Sequence, residues 1–109
     1  MAFTAGGNEG ALNSTTEVTI VSSPGASTQR VIRTINIHNK DTASVSLIVS
    51  HKKSSTLRRI KKVTLEPDDT WESTQVYVLD ATDESIVAVL GGAITTNQPE
   101  YVVSYADQS

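Results

Sequence analysis

The chain holds 109 residues, 38% of them hydrophobic and 19% charged, with nine Lys and Arg against twelve Asp and Glu for a net charge of −3. That length accommodates one domain, and the absence of cysteine excludes a disulfide framework, a thiolate metal site and a cysteine nucleophile. A mildly acidic chain also lacks the basic character expected of a nucleic-acid-binding domain.

Residues 1–14 are rich in Gly, Ala, Asn and Ser and show no periodicity, which predicts an extended N-terminal arm ahead of a folded domain over 15–109. Thr15–Val21 reads as a first strand, closed by the turn cluster Ser22-Ser-Pro-Gly-Ala-Ser27. Val31–His38 follows with Ile35 and Ile37 on one face, then the turn Asn39-Lys-Asp-Thr42. Val45, Leu47 and Val49 alternate with Ser46, Ile48 and Ser50, the pattern of a half-buried strand. Leu57–Leu65 is a strongly basic strand ending at the turn Glu66-Pro-Asp-Asp69, and Trp71–Leu79 is the next strand. Ser85–Leu90 is apolar on both faces, as a central strand would be, and runs into Gly91-Gly92. Tyr101, Val103 and Tyr105 alternate with Val102 and Ser104 in the last strand.

Seven β-rich runs with turn chemistry at each break predict an all-β fold, an antiparallel β-sandwich. Its topology is either immunoglobulin-like or jelly-roll. The N-terminus has no basic segment followed by an apolar one, so no secretory signal is expected. The longest nearly apolar run, Ile86–Leu90, is far shorter than the ~20 residues that span a bilayer. No membrane anchor is expected.

The order of the turns carries a resemblance. Ser23-Pro-Gly25, Ile32-Arg-Thr-Ile35, Asn39-Lys-Asp-Thr42, Leu65-Glu-Pro-Asp-Asp-Thr70 and Leu79-Asp-Ala-Thr-Asp-Glu-Ser-Ile86 follow one another in this chain, with Val103-Ser-Tyr105 at the close. Over roughly Thr16 to Tyr105 this resembles a recurring small structural protein family of tailed bacteriophages, departing from it at Asp80-Ala-Thr-Asp83, where that family often has Gly. The resemblance implies a virion protein made in the host cytoplasm, either a capsid decoration protein or a head, neck or tail component. Its partners would be other virion proteins, with no catalysis and no cofactor.

Residue chemistry agrees with that reading. His38 and His51 lie near strand ends without a third ligand at metal-site spacing. Gly91-Gly92 lacks the Lys and Ser/Thr of a phosphate loop, and no Gly-x-Ser-x-Gly elbow is present. Asp68, Asp69 and Glu72 suit turn capping better than acid–base work. An enzyme is not expected, nor a metal site.

Charge is the polarised feature. Residues 51–62 hold six of the nine basic residues, Lys52, Lys53, Arg58, Arg59, Lys61 and Lys62, and residues 66–84 hold seven of the twelve acids. Such segregation suits head-to-tail contact with further copies and predicts a homo-oligomer, while lysines on a strand also protect a solvated sheet edge. Nucleic acid is not expected as a partner of the basic strand, because no aromatic residue is interleaved in it. Phe3 and Leu12, the only large apolar residues of the arm besides Met1, are expected to anchor it on a neighbouring subunit. The alternative function is a free-standing ligand- or carbohydrate-binding sandwich, for which an aromatic content of 5% offers few stacking platforms.

Overall fold

The computed structural model describes residues 3–109, and Met1 and Ala2, the first two residues of the expected arm, lie outside the described residues. Nine strands follow in chain order: β1 (Phe3–Ala11), β2 (Val18–Val21), β3 (Gln29–His38), β4 (Val45–Lys53), β5 (Thr56–Leu65), β6 (Thr70–Ser73), β7 (Tyr77–Leu79), β8 (Glu84–Leu90) and β9 (Glu100–Gln108). They form two antiparallel sheets. The first has the order β1-β9-β3-β6, with β7 also paired to β3, and the second has the order β2-β8-β4-β5.

Strands β6 and β7 are two halves of one edge strand. β6 pairs with the Ile35–His38 end of β3 and β7 with its Arg30–Ile32 end. Counted as one, they reduce the orders to 1-8-3-6 and 2-7-4-5, the arrangement of a double-sheet jelly roll. Of the two sandwich topologies open to the sequence, the chain adopts this one. The single strand expected over Trp71–Leu79 breaks at residues 74–76, where the Ser73 hydroxyl accepts the Gln75 amide at 3.3 Å and removes that donor from the ladder.

The core lies between the sheets and is built from alternating positions. Ile35, Ile37, Leu47, Val49, Ile86 and Ala88 are all fully enclosed. Three bulges reset the alternation. Arg33 is the extra residue of β3 opposite β9, which is why Ile32 and Ile35, three apart, both face inward. Ile20 is the extra residue of β2, so Ile20 and Val21 are both enclosed, and Ile60 is the extra residue of β5.

Residues 3–11 correct the expectation of an arm laid on a neighbouring subunit. β1 pairs with β9 of its own chain over nine consecutive positions, from Phe3 with Gln108 to Ala11 with Glu100. Leu12 follows it into the core at 2% exposure, and its amide donates to the Pro99 carbonyl at 2.8 Å.

At one end of the sandwich a polar hub joins three loops. Asn39, fully buried, donates through Nδ2 to the carbonyls of Ala43 and Leu65 and accepts the Asp41 amide. Asp41, also buried, accepts the backbone amides of Thr42, Thr95, Thr96 and Asn97 at 2.7–3.1 Å. Those amides, with Thr95 the largest influence, outweigh the burial that opposes its charge and hold its pKa at about 2. The turn Glu66–Asp69 docks on the same hub, since Asn39 donates its amide to the Asp69 carbonyl and accepts that of Asp68. Pro67 and the positive φ of Asp68 (67°) make it a type II turn.

Candidate functional site

The register fixes which side chains leave each sheet on its outer face. Along β5, Leu57 stands opposite Lys52, Arg59 opposite Ser50, and Lys62 opposite Ile48. On β8, Val87 and Val89 stand opposite Ser50 and Ile48. The outer face of the second sheet is therefore an aliphatic strip, Ile48, Val87, Val89 and Leu57, with Arg59 and Lys62 along the open β5 edge. An antiparallel sheet facing water alone would carry polar residues at these positions.

Lys52 and Glu17 pair at 2.7 Å. Glu17 lies just before β2 and Lys52 on β4, the two strands that flank β8, and Val87 of β8 is only 3% exposed. Beside it is a shallow depression of about 330 Å³ lined by Ile48, Leu57, Val87, Val89, Glu17 and Arg59 among others.

Arg58, Arg59, Lys61 and Lys62 are exposed on β5, and none of them makes an ion pair among the described residues. The same holds for Lys53, at the end of β4. The basic strand is thus the free edge of the second sheet, with its cations unspent inside the molecule. Lys52 differs, being engaged with Glu17.

The first sheet also carries apolar residues outward. Ala5, Ala106, Val31 and Val78 follow one another in a row across β1, β9, β3 and β7. One row towards the chain's N-terminus, Phe3 is 62% exposed, and Val78 and Val102 are 47% and 57% exposed. Two rows beyond the apolar one, Val102 is flanked by Glu9 on β1 and by Asn36 and Glu72 on β3 and β6. Arg33 sits in the bulge between these rows.

Of the residues expected to make assembly contacts, Phe3 and the β5 cations are therefore on the surface. Leu12 is not. It fills its own core, because the crossing from β1 to β2 carries it between the sheets.

The histidines serve local structure. His38 Nδ1 shares a hydrogen bond with the Thr70 hydroxyl at 2.7 Å. His51 Nε2 meets Glu84 at 2.8 Å, and Glu84 also accepts the Asp80 amide. Burial opposes the Glu84 charge, yet the hydrogen bonds from Asp80 and His51 outweigh it and lower its pKa. Asp80, bonded to Glu84 and repelled by its charge, is pushed the other way.

Arg30 stands in no motif of the sequence, yet it makes the densest polar contact on the first sheet. Its Nε and Nη2 hold both oxygens of Asp107 at 2.8 and 3.0 Å, its Nη1 donates to the Ser22 carbonyl and hydroxyl, and its guanidinium lies 4.1 Å from the Tyr105 ring centre. The Arg30 hydrogen bond holds the Asp107 carboxyl below the usual range.

No protein-family model and no curated protein matches the sequence. Solved structures do match its shape. The crystal structure of PirA is similar with a TM-score of 0.57 and 14% identity, covering 91% of this chain and 92% of that one. A subunit of Bacillus endospore appendages, a family of disulfide-linked pili, is similar with a TM-score of 0.57 and 6% identity over 99% of this chain and 87% of that one. A chain of the cyanophage Pam1 capsid asymmetric unit reaches a TM-score of 0.46 at 8% identity, over 97% and 82%. At these identities the first two likenesses establish the fold, a two-sheet antiparallel β-sandwich.

Proposed function

We propose that this chain is a non-catalytic structural component that works through protein–protein contacts, and specifically a virion protein of a tailed bacteriophage. The observation that carries the reading is that both outer sheet faces keep apolar side chains in water, Phe3, Val78 and Val102 on one and Leu57 on the other. Exposed apolar surface rimmed by charge marks a contact surface. The jelly roll alone does not choose, since it serves viral capsid and lectin domains alike.

Two further points support the reading. One of the similar structures is a pilus subunit, a protein whose work is assembly. The ordered turn motifs from Ser23 to Tyr105 resemble a phage structural family, which supports a virion location. Assembly here would not use disulfides, since the chain has no cysteine.

Fractionation of a producing culture on a density gradient tests this. The chain is expected to band with particles, in many copies per particle. Recovery only in the soluble fraction, together with binding to a glycan array, would replace the structural reading with the ligand-binding one.

A further inference from the structure

The two outer faces are unlike each other in a way that fits them together. The second sheet presents Ile48, Val89 and Leu57 beside Arg59 and Lys62, whose charges find no acid within the molecule. The first sheet presents Val78, Val31 and Val102, and the Val102 row ends in an acid on each side, Glu9 and Glu72. Neither acid makes an ion pair among the described residues. One face is apolar with an unpaired basic margin. The other is apolar with unpaired acids at the Val102 row, and the exposed Arg33 lies in the β3 bulge between that row and the apolar one.

We propose that copies of this chain stack face to face, the β2-β8-β4-β5 face of one against the β1-β9-β3-β6 face of the next. The occupant of each face is a second copy. This rests on the structural reading above and deepens it by naming the surfaces. Two different patches meet, so the contact is heterologous, and repetition gives a ring where the rotation closes and a filament where it does not. Area is sufficient: the molecule measures 45 × 26 × 19 Å, and its broad face exceeds the ~800 Å² per partner of a standard interface. Pairing Arg59 and Lys62 with Glu9 and Glu72 sets the direction of stacking, because two basic faces or two acidic faces repel.

A mixing experiment distinguishes this from every symmetric contact. Val102→Arg puts a cation in the centre of the acidic face, and Arg59→Ala with Lys62→Ala strips the basic one. All three residues are exposed, and a thermal melt of each variant confirms its folding. Sedimentation velocity at low salt is expected to show assembly for the parent chain, a monomer for each variant alone, and a 1:1 dimer that grows no further for the equimolar mixture. A dimer arises because each variant retains the face its partner lacks. Glu9→Lys with Glu72→Lys provides a second acidic-face variant with the same expected behaviour.

Either variant assembling like the parent, or a mixture that stays monomeric, would overturn the stacking. A parent chain that bands with particles but remains monomeric when purified would overturn it too, while leaving the structural reading intact. Absence from particles would remove that reading itself.

Discussion

Gly6 lies directly opposite Tyr105 in the pairing of β1 with β9, and a Cβ built at Gly6 would sit 2.7 Å from the tyrosine Cε1. The missing side chain is the space the ring occupies. Gly10 repeats the relationship with Tyr101, where the added atom would meet the hydroxyl at 2.9 Å. A glycine-rich edge strand, poor in intrinsic strand propensity, is thereby held by tyrosine rings of its neighbour laid across its bare positions.

Gly6→Ala is accordingly expected to destabilise the fold by about 1–3 kcal/mol, the usual cost of overpacking. The Tyr105 ring cannot swing away freely, because Arg30 is stacked on it. Gly92→Ala is the control: nothing lies within 4 Å of its added atom, and it is expected to change stability by less than about 0.5 kcal/mol. Urea denaturation of the two variants makes the comparison. Equal costs at both sites would show that the Gly6–Tyr105 contact does not hold β1.

Leu12 predicts how much the N-terminal segment contributes. Truncating this enclosed side chain, Leu12→Ala, is expected to cost about 2–5 kcal/mol. Removing residues 1–12 is expected to prevent stable folding, since it also strips β9 of its edge partner. Hydrogen exchange supplies the parallel check, with slow exchange at the β1 amides that pair with β9 in the isolated chain. A truncated chain that melts at the parent temperature would contradict this placement.

What was legible in the sequence, and what was not, follows from where each signal resides. Strands such as β4 and β9 announce themselves by alternation, and Glu66-Pro-Asp-Asp69 by its turn residues, because those signals are local. The break at residues 74–76 was hidden, since Thr74, Gln75 and Val76 include neither Gly nor Pro. β1 was hidden for the opposite reason. Its glycines read as conformational freedom, and their use as space for Tyr101 and Tyr105 depends on a strand more than ninety residues away. The basic edge strand was visible as a charge run, but only the register shows which cations share a face with Ile48 and Leu57. Asp41 was recognisable as a turn residue. Its role as acceptor for the amides of Thr95, Thr96 and Asn97 was not, because those partners lie 54–56 positions downstream.

Acid sensitivity follows from that hub. Asp41 titrates at about 2 in the folded chain, below the ~3.9 of an unfolded aspartate, and Asp107 is lowered as well. In this window the unfolded chain binds more protons than the folded one. The stability these groups supply is therefore complete above about pH 4 and lost as pH falls towards 2. Asp41→Asn is expected to lower the melting temperature at neutral pH and to flatten its decline between pH 4 and 2. Melting curves from pH 2 to 7 read both effects, and an unchanged acid slope would show that Asp41 does not drive it.

Arg30 predicts a loss from a substitution that keeps its charge. Lysine cannot hold both Asp107 oxygens, reach Ser22 and stack on Tyr105 at once. Arg30→Lys is expected to cost about 1.5–3 kcal/mol, the scale of a hydrogen bond to a charged group, and to return the Asp107 carboxyl towards its ordinary range. A chemical-shift titration of Asp107 reads the second effect independently of stability.

The most direct test of the account is the association state of the unmodified chain across ionic strength. Sedimentation velocity at low salt is expected to show assembly that deepens with concentration, and raising the salt towards 1 M, where screening acts within ~3 Å, is expected to weaken it about tenfold or more. A clean monomer at every concentration and salt would contradict the claim that these two faces are built to meet.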